Sequence, residues 1–287
     1  MTKFGSFAAA VLCLCVALGL AGLHNARQTP IERTATISEP GWPQAAPPIK
    51  VALVSDIHIG NAAMDVKRLD AIVAQINEAK PDLILLAGDF VVGHGPSGIA
   101  PRAASLTSPL SKLKAPLGVI AILGNHDYWT SADIVRNALT ASGITVLDNQ
   151  AEMRGPITVI GISDRFSGHD QIAKAVAQAR KLGGPFLVLT HSPDLAPDLP
   201  SDMSLVLAGH THCGQVVLPL VGPLLTRAPF DHWRQLYRPE YRCGVVSDRL
   251  RNVIITGGVG AGTVPVRFGA PPDWWLIAIS RLQKFKS

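Results

Sequence analysis

The chain has 287 residues, of which 47% are apolar and 16% charged, so a packed core is expected and global disorder is excluded. Glycine and proline are abundant, at 26 and 22, but follow no period, which excludes collagen-like and solenoid architectures. The net charge of +5 is mild and no Lys/Arg run exceeds two residues, so no nucleic-acid partner is expected.

Residues 1–23 stand apart as a signal peptide or membrane anchor. Lys3 precedes an uncharged apolar run from Phe7 to Leu23, and Gly19 and Ala21 offer a small-x-small cleavage site. Either reading delivers the chain to or across a membrane, for a bacterial chain the inner membrane, the periplasm or the exterior. Cys13 and Cys15 lie in this run and read as small apolar residues. Residues 24–48 are polar and carry Pro30, Pro40, Pro43, Pro47 and Pro48, so a linker with little regular structure is expected. The folded domain is placed at 49–287.

That domain opens with a β-branched strand, 49–55, followed by a helix over 65–80 with Leu69, Ile72, Val73 and Ile76 at helical spacing. Buried strands are predicted at 82–87 and 118–123, with a Gly/Pro/Ser loop at 92–101 and an amphipathic stretch at 106–113 between them. Ser131 is placed as the cap of a helix that reaches Ala141. Strands at 144–148 and 157–162, a helix at 169–182, and strands at 186–190 and 205–208 follow, with further strands near 253–256 and 275–279. Alternating apolar strands and helices indicate an α/β fold with covered sheets. The later strands lack intervening helices, so a second, more antiparallel sheet is expected.

Polar clusters sit just beyond five of these strands: Asp56 and His58, Gly88-Asp89, Gly124-Asn125-His126-Asp127, His191, and Gly209-His210-Thr211-His212. In open α/β sheets, ligands bind outside the carboxyl ends of strands. Residues i and i+2 of an extended chain point the same way, so each pair, Asp56/His58 and His210/His212, can reach one point. A set of Asp, His and one Asn amide suits borderline metals such as Mn, Fe or Zn better than an all-oxygen Ca or Mg cage. No Cys-x-x-Cys is present, which argues against a structural zinc site.

Together these blocks resemble the signature of calcineurin-like metallophosphoesterases, from about Ile49 to Leu282. The stretches Gly209 to Gln215, Val264 to Phe268 and Pro271-Pro272-Asp273 are similar to the membrane-associated or secreted bacterial branch, although Cys213 stands where that branch often has Gly and Asp273 where it often has Glu. The resemblance implies a two-sheet β-sandwich flanked by helices, a four-layer α/β/β/α fold, with two divalent or trivalent metal ions. It implies that Asp56, His58 and His212 hold one ion, that Asn125, His191 and His210 hold the other, and that Asp89 bridges. A hydroxide between the ions would attack phosphorus in line. By the same resemblance, His126 stabilises the transition state or protonates the leaving oxygen, Asp127 orients His126, and Arg267 forks onto phosphate oxygens.

The implied activity is that of a phosphodiesterase acting on a phosphate ester at or beyond the inner membrane. The alternative is a pyrophosphatase of a lipid-linked nucleotide sugar of the UDP-2,3-diacylglucosamine type; that branch commonly carries Arg where this chain has His126. A binding module that kept the fold without catalysis is the third reading. Cys213 and Cys243 are expected as two separate thiols, with one disulfide as the alternative. The glycine run 257–262 lacks the Lys-Ser/Thr ending of a phosphate loop and reads as a tight turn. His24, His94, His169 and His232 lack motif partners and are expected not to be ligands. Val216 to Tyr237 is apolar, is broken by Pro219, Pro223 and Pro229, and carries Phe230, Trp233, Arg227 and Arg234, with Arg238 just beyond its end. It suits contact with lipid, or else its leucines pack as ordinary core.

Overall fold

Apolar runs form the strands of this chain, and stretches with apolar residues every third or fourth position form the helices that cover them. The computed structural model describes residues 3–228, 232–247 and 251–281. Helix α1 (Lys3–Ala26) leads into strands β1 (Ile31–Ser38) and β2 (Ile49–Val54). Helix α2 (Val66–Glu78), strand β3 (Leu83–Leu86), helix α3 (Ile99–Leu110) and strand β4 (Val119–Ala121) follow. Next come the short α4 (Asn125–Thr130), α5 (Ala132–Ala141), β5 (Thr145–Val146), β6 (Gln150–Arg154) and β7 (Ile157–Ile162). Helix α6 (Ile172–Leu182) then leads to β8 (Phe186–Thr190) and β9 (Leu205–Ala208). Two small hairpins pair β10 (Val217–Leu218) with β11 (Gly222–Pro223), and β12 (Arg227–Ala228) with β13 (Arg234–Gln235). Strands β14 (Gly244–Ser247), β15 (Asn252–Ile255) and β16 (Asp273–Ser280) come last.

The strands form two six-stranded sheets, ordered β1-β16-β2-β3-β4-β5 and β14-β15-β9-β8-β7-β6. Alternation along each strand assigns its two faces. Val51 and Leu53 of β2, with Leu83 and Leu85 of β3, meet Leu187, Leu189, Leu205 and Leu207 of the second sheet in a core between the sheets. Ala52, Val54, Ile84 and Leu86 turn the other way, onto Leu69, Ile72 and Val73 of α2, Leu106 of α3 and Leu139 of α5. Val188 and Val206 turn onto Ala175, Val176 and Ala179 of α6. The result is the expected four layers, α/β/β/α. Helix α2 begins where the Asp65 carboxylate accepts the N–H of Arg68 at 2.8 Å, a cap that stabilises a helix by about 1 kcal/mol.

Three details differ from the sequence reading. Residues 24–48 are not irregular throughout: β1 adds to the edge of the first sheet, parallel to β16 over eight residues. The prolines lie on either side of 31–38 and leave its N–H groups free to pair. Helix α3 begins at Ile99, inside the expected loop, with Gly98 in a left-handed conformation at its N-cap (φ 66°). The second sheet does carry two antiparallel pairs against one in the first, but β7, β8, β9 and β15 run parallel. Residues Phe7–Ala26 have a mean hydropathy of 2.2 and are long and apolar enough, by length and composition, to cross a membrane.

Candidate metal centre

The polar clusters leave the strand ends through sharply turned backbone. Asp56, His58, Asp89, His210 and His212 all take left-handed φ, at 55°, 49°, 57°, 70° and 49°. Asp and His are enriched in this region, but five together is a concentration of strain of the kind held at functional sites. The expectation that Asp56 and His58 converge by extended i, i+2 geometry is therefore replaced: left-handed residues curl each loop back over its sheet. The loops pack against each other at glycines. A Cβ on Gly258 would meet the Cβ of Asp56, and one on Gly260 would meet the Ile57 carbonyl, so the run 257–262 is a backbone lid on the 55–58 loop.

All seven candidate ligands come together, all buried except the slightly exposed His212. Asp56, His58 and His212 form one group: His58 Nε2 lies 3.2 Å from His212 Nε2, and Asp56 Oδ1 lies 3.4 Å from His212 Nε2. On the other side, His191 Nε2 lies 3.1 Å from Asn125 Oδ1 and 3.3 Å from His210 Nδ1. Asp89 Oδ2 stands between the groups, 3.4 Å from His58 Nε2 and 3.3 Å from His191 Nε2.

Backbone carbonyls fix the imidazole tautomers, because a carbonyl can only accept. His191 Nδ1 donates to the Ala87 carbonyl at 2.6 Å, and His210 Nε2 donates to the Leu236 carbonyl at 2.9 Å. Each neutral ring then directs its other nitrogen lone pair inward, where Asn125 Oδ1 also points. Lone pairs facing lone pairs at about van der Waals contact are the donor set of a cation. Asp56 Oδ1, fully buried and without a hydrogen-bond partner, fits the same reading. Against the penalty of burial, the Asp89 carboxylate pushes His191 well above the usual imidazole range. Against burial likewise, His212 and His58 hold the Asp56 carboxyl well below the carboxylate range. Burial pushes the His210 and His212 rings down, toward the neutral form that offers lone pairs, so the residues fit bound metal.

Of three further expected roles, two look different in place. His126 lies beside this centre, within ligand distance of His58 and Asp89. Its ring is oriented by the Gly93 carbonyl, which accepts from Nδ1 at 2.7 Å, and burial pushes the imidazole down to about 4. Asp127 does not touch that ring. Its Oδ2 accepts from Asp89 N and Gly124 N, both at 2.9 Å, and its Oδ1 accepts from Phe90 N at 2.9 Å and Val91 N at 3.3 Å. Asp127 lies in the first turn of α4 and ties the 88–91 and 124–127 loops together. Arg267 is fully buried, and its guanidinium donates to the carbonyls of Gly257, Gly260 and Ala270 and reaches His212 Nδ1 at 3.1 Å. With its donors turned to backbone and ring, Arg267 positions His212 and the glycine lid and has no fork left for a phosphate.

The sequence reading missed the aromatic wall on the open side. Trp129 stacks on His94 and sits edge-on to His126, and Phe166 lies against His210 with the Arg234 guanidinium over its ring. His94, read as a non-ligand, also bonds Thr263 Oγ1 and stands at this margin, outside the ligand groups. Trp129 could have been found from its place in Asn125-His126-Asp127-Tyr128-Trp129; Phe166 and the Leu236 carbonyl carry no local signal.

Cys213 and Cys243 are joined in a disulfide across 30 residues, not held as separate thiols. Sequence spacing gives no information on spatial pairing here, because the small hairpins fold back and return Cys243 to Cys213. Within that closed segment, Leu220, Val221, Leu224 and Leu225 are exposed, so the core reading of these leucines does not hold; Tyr237 is buried. Phe230 lies outside the described residues.

A family model for calcineurin-like phosphoesterases matches residues 49–214. The "Transmembrane protein with metallophosphoesterase domain" of Danio rerio is 32% identical over 286 residues, covering 93% of this chain and 61% of the relative. "Uncharacterized metallophosphoesterase YkuE" of Bacillus subtilis is 30% identical over 234 residues, covering 78% of this chain and 76% of the relative. "Phosphodiesterase YaeI" of Escherichia coli is 32% identical over 244 residues, covering 78% of this chain and 83% of the relative. The chain thus spans less than two thirds of the Danio rerio protein. With the family model covering more than half of its residues and two relatives matched over most of their length, the chain belongs to the calcineurin-like phosphoesterase family.

Proposed function

We propose that the chain is a metal-dependent phosphodiesterase with a dinuclear centre, held by Asp56, His58 and His212 on one side, Asn125, His191 and His210 on the other, and Asp89 between. The observation that carries the reading is the position of Asp89 Oδ2, at 3.4 Å from one group and 3.3 Å from the other. Two bound metal ions, with Mn, Fe and Zn as the candidates, would supply Lewis acidity and an activated water for in-line displacement at phosphorus. The chain's own residues supply the rest. Asp127 fixes the spacing of the Asp89 and Asn125 loops, Arg267 holds the His212 ring, and Gly93 aims His126 at the place where a leaving oxygen would depart. The name of the Escherichia coli relative, a phosphodiesterase, supports diester chemistry.

Helix α1 is proposed as a membrane anchor, with the domain on the oxidising side of the membrane. The apolar span Phe7–Ala26 supports the first part, and the Cys213–Cys243 disulfide supports the second. Intact mass of the chain purified from membranes separates an anchor from a cleaved signal. A panel of bis-p-nitrophenyl phosphate, phosphomonoesters, phospholipids and UDP-diacylglucosamine, run on protein loaded separately with Mn, Fe and Zn, tests the activity. Turnover of the diester above the monoesters is expected. Preference for the nucleotide sugar would move the reading to the pyrophosphatase, and no turnover with both metals bound would leave a binding module.

A further inference from the structure

We infer that the hairpin β10–β11 is a membrane-docking element, which seats in the same bilayer as α1 and turns the mouth of the metal centre toward the lipid surface. Residues 266–268 form a short segment held from both sides. On one side, Arg267 N donates to the Gly22 carbonyl of α1 at 3.0 Å, and Asn25 Nδ2 donates back to the Arg267 carbonyl at 3.2 Å. A Cβ on Gly22 would lie 2.6 Å from the Phe268 ring, so the helix sits as close as a glycine allows. On the other side, Val217 N donates to the Phe268 carbonyl at 2.8 Å, and Phe268 N donates to the Gln215 carbonyl at 2.9 Å. The end of an apolar, membrane-length helix and the base of the hairpin therefore flank one strand-like segment.

The hairpin presents apolar side chains to solvent. Leu220 at its tip is fully exposed, and Leu218, Val221, Leu224 and Leu225 are exposed around it, with Val264 on the neighbouring loop. Large apolar side chains exposed together on one hairpin mark an interaction site. Between Cys213 and Ala228 the sequence has no acidic residue, and its one charge is Arg227, which is exposed on β12. Apolar residues at a tip with positive charge behind them match an acyl boundary beneath anionic head groups. Continuity with α1 selects a bilayer as the occupant: a bilayer that takes the helix is already beside the hairpin.

The hairpin base adjoins the metal centre. Gln215 Oε1 accepts from Gly262 N at 3.0 Å, and a Cβ on Gly262 would lie 3.4 Å from His212 Nε2. A phosphoester on a lipid at this surface would thereby approach the metal centre from its His212 side. This substrate class, a phosphodiester carried in a bilayer, rests on the phosphoesterase reading above; the docking of the hairpin does not.

The test uses the full chain with Cys13→Ser and Cys15→Ser, spin-labelled at Leu220→Cys or, as a control on α6, at Leu182→Cys. The chain is reconstituted in vesicles of phosphatidylcholine and phosphatidylglycerol. Power saturation should show the label at 220 favouring oxygen over a water-soluble nickel chelate, with the label at 182 favouring nickel. Equal nickel access at both positions overturns the proposal. So does a label at 220 that is shielded from both relaxants and coupled to a second labelled chain, which would mean protein covers the hairpin. In a second arm, Leu220→Asp with Leu225→Asp should slow hydrolysis of a vesicle-borne phosphodiester about tenfold or more and leave bis-p-nitrophenyl phosphate unchanged. Equal turnover of the vesicle substrate by variant and wild type overturns the lipid-substrate class. Failure of the wild type on the soluble diester counts against the phosphoesterase reading, while the label depth still decides the docking.

Discussion

The floor of the metal centre and the margin that closes it, residues 213–243, are built on opposite plans. In the floor, buried parallel strands end in left-handed turns, and backbone carbonyls or N–H groups fix most of the functional side chains. In the margin, two-residue strands, one disulfide and exposed leucines form a rim with little core of its own. A few polar contacts tie them together, among them His210 Nε2 donating to the Leu236 carbonyl, Thr211 Oγ1 donating to the Arg242 carbonyl and Gly262 N donating to Gln215 Oε1. The floor determines what chemistry is possible, and the margin determines what reaches it. Substitutions in the two regions should therefore fail differently.

The largest effect is expected at Asp89. Asp89→Ala removes the one carboxylate between the two ligand groups, so both sites weaken together. Loss of at least one metal equivalent is expected, with turnover down by roughly 10³ or more, in keeping with the weight that metal clamps carry in phosphoryl transfer. Elemental analysis beside the diester assay checks it, and two retained equivalents would remove Asp89 from the bridge.

His126→Ala separates chemistry from assembly. Both metals should stay, and turnover should fall roughly 10²–10⁴, the range of a positioned acid–base group; because burial pushes the ring down to about 4, its proton-donating form is the minor one at neutral pH, and the loss should grow as pH falls toward that value. Alkyl leaving groups should suffer more than nitrophenol, which departs without help. Identical losses for the two would sink the acid role.

Asp127→Asn probes the floor through stability. Each carboxylate oxygen accepts two backbone N–H groups, so an NH2 in either place points a donor at two donors. A loss of about 3 kcal/mol is expected from buried groups left unpaired, seen as a lower midpoint in thermal or denaturant unfolding. A variant as stable as wild type would show that the loops hold without this tie.

Opening the margin should cost less. Cys213→Ser with Cys243→Ser releases the closed segment, with a loss of about 2 kcal/mol, the low end for a disulfide, because few core contacts depend on it. Limited proteolysis should cut between 216 and 237 faster while the sheets persist. Global unfolding at the wild-type midpoint together with unchanged proteolysis would show that the rim is held by its own packing.

The same contrast explains what the sequence reveals. The strands before Asp56, Asp89, Asn125, His191 and His210 are legible because continuous apolar runs bounded by polar clusters have few alternative structures. The seven candidate ligands follow from their places at strand ends. Roles that depend on where a side chain finds its hydrogen bonds are not legible. Asp127 sits next to His126 in sequence but bonds the 89–91 backbone, and Arg267 meets carbonyls that its own neighbourhood does not announce. Strand β1 escapes the same reading because its stability comes from an edge formed by residues more than 200 positions away. Tertiary partners decide these cases, and periodicity does not record them.

The smallest effect is expected at the rim leucines. Both Leu224 and Leu225 are about half exposed, so truncation removes little apolar area from protein contact. Leu224→Ser with Leu225→Ser should leave unfolding within about 0.5 kcal/mol of wild type, as substitutions away from core and caps do. A soluble diester should turn over at the wild-type rate, since neither residue is among those facing the ligands. If the pair were core, as the apolar sequence also allowed, the loss would instead approach that of buried leucines, about 2–5 kcal/mol for each. Unfolding in detergent-free buffer, on protein whose metal content has been measured, distinguishes the two. A loss of several kcal/mol would mean that the rim folds against the domain in solution and that the boundary drawn here between floor and margin lies in the wrong place.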